Sequence, residues 1–409
     1  MTNINKDRVD LFKSKLSTRC TIPLENNHDL SRAYTPGVAE PCKKIKLNKD
    51  LSFEYTNRGN MIAVVSDGTR VLGLGDIGPE AAMPVMEGKS VLFKSFADVD
   101  AIPICLDTKD PDEIIKIVKA LQPSFAGINL EDFSSPKCYE IEDTLKEQMD
   151  IPVFHDDQHG TAIACCSALL GALRLVKKDI KNVKIVVNGA GAAGTAIAQL
   201  ILHIGAKNMI VCNSKGSIYA GQSGLNKVQE KLAQLTGTTK QIPFKETVID
   251  ADVLLGVSAP GAFTTEIIKS MKKDAIVFAM ANPVPECDYH EAKAAGAKVV
   301  GTGRSDFPNQ VNNVKVFPGV FRGAIDVRAR AINEEMKVAA VYALANLIHD
   351  DELTEEYVTP DAFDPRVAPA VAAAVAKAAM DTGVARIHVD SEEIRKNTEK
   401  RITKIDANS

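Results

Sequence analysis

Apolar positions fall into short continuous runs, separated by longer stretches in which they recur every three to four residues. The runs Met61–Val65, Ala101–Leu106, Phe125–Leu130 and Ile151–Phe154 have the length of strands buried on both faces. Between them, Pro111–Leu121 and Pro136–Met149 carry helical periodicity with a proline near the first turn, where a missing N–H leaves no bond unmade. This alternation predicts an α/β unit. A helix is expected from Gln158 through Val176, leading into a second alternating unit. Its strands are expected at Val183–Val187, Met209–Cys212, Val253–Val257, Ala275–Met280 and Lys298–Gly301. Residues 1 to roughly 60 are polar and basic around Tyr34-Thr-Pro-Gly-Val38, whose proline and glycine exclude a regular helix. Beyond Phe317-Pro-Gly319 the pattern is helical, over Ile332–Ile348 and an alanine-rich Pro369–Met380. The Lys- and Glu-rich end from Ser391 is expected as a solvated helix or mobile tail. No internal repeat is visible.

With 409 residues and 45% hydrophobic content the chain is long enough for two or three domains. A formal charge of -4 gives no basic surface for nucleic acid or for an acidic membrane. The eight cysteines form no Cys-x-x-Cys pair, which fits a reducing compartment. No apolar run reaches membrane-span length, and the polar N-terminus has no secretory character, so a cytoplasmic location is expected.

Two acidic pairs end apolar runs: Glu131-Asp132 after Phe125–Leu130, and Asp156-Asp157 after Ile151–His155. Either alone has a plain explanation, since an Asp before a helix is commonly its N-cap and a Glu-Asp pair is commonly solvated. Both directly follow buried-type strands, and together they make an oxygen-rich pocket suited to Mg²⁺ or Mn²⁺. Soon afterwards comes Gly189-Ala190-Gly191-Ala192-Ala193-Gly194, a G-x-G-x-x-G between an expected strand and helix. Its glycines permit a tight turn, close approach of backbone to a pyrophosphate, and close helix packing, so it reads as a dinucleotide site. Where an acidic residue usually bonds the ribose of NAD, this chain has Asn213, followed by Ser214 and Lys215. A neutral residue there does not repel a 2′-phosphate and Lys215 can pair with one, which favours NADP over NAD. Lys215 is equally well explained as a solvated turn lysine.

Arg70-Val-Leu-Gly-Leu-Gly-Asp-Ile-Gly78 precedes two lysines, Lys89 and Lys94, on an expected helix. Most helix lysines are solvated; one in an apolar stretch beside a metal is expected to have a lowered pKa and to act as a base. These blocks stand in one order with Tyr34-Thr-Pro-Gly-Val-Ala39, Asn129-Leu-Glu-Asp132, Phe154-His-Asp-Asp-Gln-His-Gly-Thr-Ala162, Ala281-Asn-Pro-Val-Pro-Glu286, Asn312-Asn-Val-Lys-Val-Phe-Pro-Gly319 and Phe363-Asp-Pro-Arg366. Over nearly the whole chain the set resembles the malic enzymes of the short bacterial type.

That resemblance implies oxidative decarboxylation of L-malate to pyruvate and CO₂, with NAD(P)⁺ and Mg²⁺ or Mn²⁺. It implies Tyr34 as the acid that protonates enolpyruvate and Lys89 as the base for the malate hydroxyl. Glu131, Asp132 and Asp157 become metal ligands, with Asp156 a partner of a basic residue beside them. Arg70 is implied to hold a substrate carboxylate, and Asn282 and Asn313 to reach substrate or cofactor. Plainer readings exist: Asn282 before proline as a turn former, Asn312-Asn313 as a loop cap, Tyr34 as a packing residue. The expected organisation is an N-terminal α/β substrate domain (1–157), a Rossmann-type NAD(P) domain with C-terminal helices (158–385) and a helical tail (386–409), in a homodimer or higher homo-oligomer. The end near residue 409 leaves no room for the acyltransferase-like domain of some bacterial relatives, so regulation through it is not expected. Two rivals remain at this point: a malolactic-type enzyme that releases lactate, and a non-catalytic dinucleotide-binding regulatory or structural protein.

Overall fold

The computed structural model describes residues 12–408; the polar stretch read from residues 1–11 lies outside the described residues. Strands β1 (Met61–Ser66), β2 (Asp100–Cys105), β3 (Gly127–Leu130) and β4 (Val153–His155) form a parallel sheet in the order β2-β1-β3-β4. Parallel strands need crossover connections whose helices cover both faces, which is why these strands read as unbroken apolar runs. Ile62, Ala63, Val64 and Val65 of β1 are accordingly all buried.

The second sheet holds β5 (Lys184–Asn188), β6 (Asn208–Asn213), β7 (Gly216–Ser217), β8 (Val253–Gly256), β9 (Ala275–Ala279) and β10 (Ala297–Thr302). Its order is β10-β9-β8-β5-β6-β7, parallel except for the short β7. The chain leaves β5 toward β6 on one side and later returns to β8 on the other. A crevice therefore opens past the carboxyl end of β5, where open α/β sheets take ligands. The architecture is an N-terminal α/β domain followed by a Rossmann-type domain.

The expected strands and the Pro111–Leu121 helix lie where the apolar pattern puts them, to within one or two residues at most ends. Two differences have physical causes. The bridging helix is Asp156–Leu175, two residues earlier than expected, because the acidic pair itself makes the first turn, where negative charge complements the helix dipole. The C-terminal Ser391–Asn408 helix is docked rather than solvated. Ile394 and Thr398, one turn apart, are buried against the Pro79–Ala97 and Val367–Asp381 helices, and Arg401 reaches Asp98 at 3.2 Å. A stripe that narrow is hidden in a polar sequence.

The last helices also fold back onto the first sheet. Phe321, on the Phe317–Asp326 helix, packs against Phe93 (centroids 5.4 Å apart) and Phe154 (5.8 Å). A Cβ on Gly127 of β3 would stand 3.1 Å from the Phe321 ring, so glycine there leaves the ring its place. Gly319 and Gly323 bring the same helix against Val367–Asp381, where added Cβ atoms would meet Val371 at 2.7 Å and the Ala372 carbonyl at 2.4 Å. Replacing the fully buried Phe321 with Ala is expected to cost about 3–5 kcal/mol of unfolding free energy in urea denaturation. A loss under about 1 kcal/mol would show that the returning helices do not complete the first domain's core.

Candidate active site

The β3–β4 register sets the site. Leu130 pairs with His155, so the next residues of each strand emerge side by side: Glu131 and Asp132 from β3, Asp156 and Asp157 from β4. The Asp132 N–H donates to Asp157 Oδ2 at 3.0 Å, and carboxylate oxygens of Glu131, Asp132 and Asp157 lie within 4.8 Å of one another. Asp132 holds φ +58°, a left-handed conformation that Asp adopts more readily than most residues.

Lys89 enters from the middle of the Pro79–Ala97 helix. Its ammonium stands 2.9 Å from Glu131 Oε1 and 2.5 Å from Asp156 Oδ2, over the Phe317 ring at 4.0 Å. Lys94, one and a half turns on, is half exposed and pairs with Asp98 and Asp100 away from the cluster. Asn313 donates to Asp156 Oδ2 at 2.5 Å. Gly160 makes this possible, because a Cβ there would fall 1.8 Å from Asp156 Oδ1 and 3.1 Å from the Asn313 Cβ.

The lysine's protonation departs from the expectation. Burial pushes Lys89 down, but Asp156 and Glu131 outweigh it, so its pKa is raised, not lowered, and it is held as the ammonium. The carboxylates are raised as well, which for them favours the neutral form. Burial first, then their mutual repulsion, pushes Glu131 well above its ordinary value, Asp132 to about 8 and Asp156 to about 6. Four carboxylates against one buried lysine leave the cluster too negative for its surroundings. Asp132 Oδ2 is also buried with no hydrogen-bond partner among the described residues. An all-oxygen donor set, an orphaned acceptor and excess negative charge fit a hard divalent cation held by Glu131, Asp132 and Asp157.

Beneath the acidic turn lies a network that the sequence did not reveal. Glu142, buried on the Lys137–Gln148 helix, accepts from the His155 N–H (3.0 Å), Gln158 Nε2 (2.9 Å) and Lys146 (2.7 Å), and contacts His159 Nε2. Burial would raise its pKa, but His159 and Lys146 hold it well below the carboxylate range, so it braces the start of the Asp156–Leu175 helix as an anion. Asp67 braces the Arg70 loop. It pairs with Lys137 and accepts from Thr69 Oγ1 at 2.6 Å, while Thr69 in turn accepts from the Ser134 N–H at 3.0 Å. The Arg70 N–H donates to the Asp132 carbonyl at 3.0 Å; its side chain is solvent-exposed, with its charge acting on Asp132.

The dinucleotide turn forms as its glycines require. Gly189 has φ +124°, and a Cβ on Gly194 would lie 1.8 Å from the Gly189 carbonyl, so neither position accepts a side chain. Gly191 caps the Ala192–Ile204 helix, and a Cβ there would meet nothing within 4 Å, which leaves an open cradle at a helix N-terminus, with Ala190, Ala192 and Ala193 around it. Asn213 ends β6 and accepts the Lys215 N–H at 2.8 Å, so its side chain makes a turn here, with Ser214 and Lys215 exposed. The two lobes meet at several points. Tyr139 and Thr195 hydroxyls are 3.0 Å apart, and a Cβ on Gly73 would stand 3.1 Å from the Asn282 carbonyl. The Asn282 side chain is exposed at this junction. Tyr34 is not brought to the cluster: it caps the Asn27–Ala33 helix, is 68% exposed, and its hydroxyl has no partner among the described residues.

Comparison with known proteins agrees with this arrangement in both lobes. Residues 13–146 match the malic enzyme N-terminal domain, and residues 158–380 the malic enzyme NAD binding domain. The chain is 58% identical over 403 residues to the bifunctional malic/malolactic enzyme of Bacillus subtilis, covering 97% of this chain and 98% of that one. It is 53% identical over 373 residues to the NAD-dependent malic enzyme of Geobacillus stearothermophilus, covering 91% and 78%. The crystal structure of malic enzyme from Pyrococcus horikoshii superposes with a TM-score of 0.93 at 45% identity, over 96% of this chain and 93% of that one. Two family domains matched in order, and relatives aligned almost end to end, place this chain in the malic enzyme family.

Proposed function

We propose that the protein carries out oxidative decarboxylation of L-malate to pyruvate and CO₂, with reduction of NAD(P)⁺ and dependence on Mg²⁺ or Mn²⁺. The observation that carries this reading is the buried junction of Lys89 with Glu131 and Asp156, beside a three-carboxylate set, in a lobe that the Tyr139–Thr195 contact joins to the helix after the dinucleotide turn.

In this reading Arg70 holds a malate carboxylate, and Lys89 takes the C2 hydroxyl proton as hydride leaves C2. Lys89 must first pass its proton to a base, and Asp156, in contact with it at 2.5 Å, is placed to take it. Once Glu131, Asp132 and Asp157 are committed to a cation, Asp156 is the main remaining partner of the lysine, and the proton is held less firmly. A cation held by Glu131, Asp132 and Asp157 would supply positive charge for the oxygen that becomes an enolate as the bond to the departing carboxylate breaks. Residues 189–194 would seat the dinucleotide, which would supply the hydride acceptor. Asn313 fixes Asp156 against Lys89 and Asn282 lies on the cofactor side, while the role of Tyr34 in returning a proton to C3 requires its exposed arm to come over the cluster. Phe317 beneath Lys89 keeps water from the base.

NADP is the favoured coenzyme because Asn213 brings no negative charge to the ribose; the relative at 53% identity, by contrast, is named NAD-dependent. A second reading, lactate release with the coenzyme retained, is favoured by one observation, the malic/malolactic name of the relative at 58% identity. Pyruvate or lactate as the product of L-malate decides between them. We also infer a homodimer or higher homo-oligomer, since the N-terminal arm presents Ile22, Leu24, Leu30 and Tyr34 to solvent. A cytoplasmic location is supported by eight free cysteines; no helix among the described residues is long and apolar enough to cross a membrane.

Asp157→Ala should abolish activation by Mn²⁺ while leaving coenzyme binding, read by fluorescence, within about twofold; full turnover of this variant in chelator would remove the metal assignment. Lys89→Ala should slow malate oxidation by about 10²–10⁴-fold. Tyr34→Phe should instead slow metal-dependent exchange of the C3 protons of pyruvate with deuterium, and wild-type exchange would withdraw its role as acid. Asn213→Asp should move the ratio of kcat/KM values toward NAD⁺, because a carboxylate accepts ribose hydroxyls and repels a phosphate; an unchanged ratio would place recognition elsewhere.

A further inference from the structure

A second polar cavity lies at the other end of the first sheet. It has a volume of about 270 Å³ and is bounded by Thr56 and Asn60 just before β1, Arg322 and Asp326 on the Phe317–Asp326 helix, Arg328 after it, and Arg401 on the C-terminal helix. The candidate active site is at the carboxyl end of β1; this cavity is at its amino end, six residues and about 20 Å away. None of its lining residues takes part in the reaction above.

Three guanidinium groups against one carboxylate line the cavity. Arg322 is 98% buried; it donates to Asn60 Oδ1 at 2.6 Å and pairs with Asp326, and its Nε has no partner among the described residues. Arg328 spends one nitrogen on Glu54 at 2.8 Å, and Arg401 one on Asp98 at 3.2 Å. Each guanidinium has five N–H donors, so both keep donors that their acidic partners leave unused. More positive charge stands close behind. Around the ring of Phe53, which also lines the cavity, Arg58 lies at 4.0 Å and Arg328 and Arg386 at 5.7 Å each. Arg58 is lowered by burial and then by the charge of Arg386, as expected where cations crowd one another.

Purely structural arginines staple carbonyls, as Arg58 does with Phe125 and Gln122, and as Arg386 does with Arg328 and Asp150. Among the described residues, Arg322, Arg328 and Arg401 make no bond of that kind. They come from two helices and a loop and converge on open space, the arrangement with which arginine takes planar oxyanions. The volume exceeds what a phosphate or a four-carbon dicarboxylate needs. We propose that this cavity is a binding site for a small oxyanion, a carboxylate or a phosphate group, separate from the catalytic cleft.

The test uses the full-length protein at constant ionic strength, with inorganic phosphate and succinate titrated separately by calorimetry. Saturable binding is expected. It should weaken at least tenfold in the Arg328→Gln/Arg401→Gln double variant and at least threefold in Arg401→Gln alone, while malate oxidation without added anion stays at the wild-type rate. Arg401 is 43% exposed, so the single change is expected to leave the fold intact, which thermal unfolding checks, and it decides the matter if the double variant is unstable. Tighter binding of phosphate than succinate assigns a phosphorylated ligand, and the reverse a carboxylate. Absence of saturable binding of either anion, or equal affinity in wild type and variants, overturns the proposal. Succinate bound only at the malate site would give that equality, so this result leaves the proposed reaction untouched.

Discussion

The structure turns on one electrostatic constraint, the confinement of Glu131, Asp132, Asp156 and Asp157 with Lys89 at the ends of two adjacent strands. Isolated in an apolar interior, such charges would be expelled or neutralised, and the raised pKa values of Glu131, Asp132 and Asp156 record that tendency. Lys89 offsets part of the negative charge through contacts of 2.9 and 2.5 Å. The rest calls for a cation. The balance has a chemical consequence, since Glu131, which would help hold the metal, also joins Asp156 in keeping the lysine protonated before the cation arrives.

Much of the surrounding fold serves to hold these charges in place. The Leu130–His155 register sets the two acidic pairs side by side, Glu142 pins the His155 backbone from below, and Asn313 fixes Asp156 from the returning C-terminal segment. That segment also supplies Phe317 under Lys89 and Phe321 within the first core. The first sheet is therefore covered by residues that follow the dinucleotide-binding sheet in sequence, and the Tyr139–Thr195 contact joins the lobes directly.

What was legible in the sequence was local. Buried parallel strands announce themselves as apolar runs, Gly189, Gly191 and Gly194 occupy positions where side chains clash or would fill a cradle, and acidic pairs at strand ends are visible as adjacent letters. Partners distant in sequence were not. Nothing near Glu142 distinguishes it from a solvated helix glutamate, and the raised pKa of Lys89 depends on Asp156, 67 residues away. The buried stripe of Ile394 and Thr398 is too narrow to stand out from a charged helix. Tyr34, prominent in the family resemblance, lies on an exposed arm, so its relation to the cluster cannot be read from one chain's local pattern.

Equilibrium binding of Mn²⁺, followed by electron paramagnetic resonance of the free ion with neither malate nor coenzyme present, tests the central claim most directly. If the excess negative charge of the cluster is matched to a divalent cation, a single Mn²⁺ per chain should bind saturably, and Mg²⁺ but not Na⁺ at equal ionic strength should displace it. Absence of saturable binding up to millimolar Mn²⁺ would contradict the account, because the buried carboxylates would then be neutralised by protons alone.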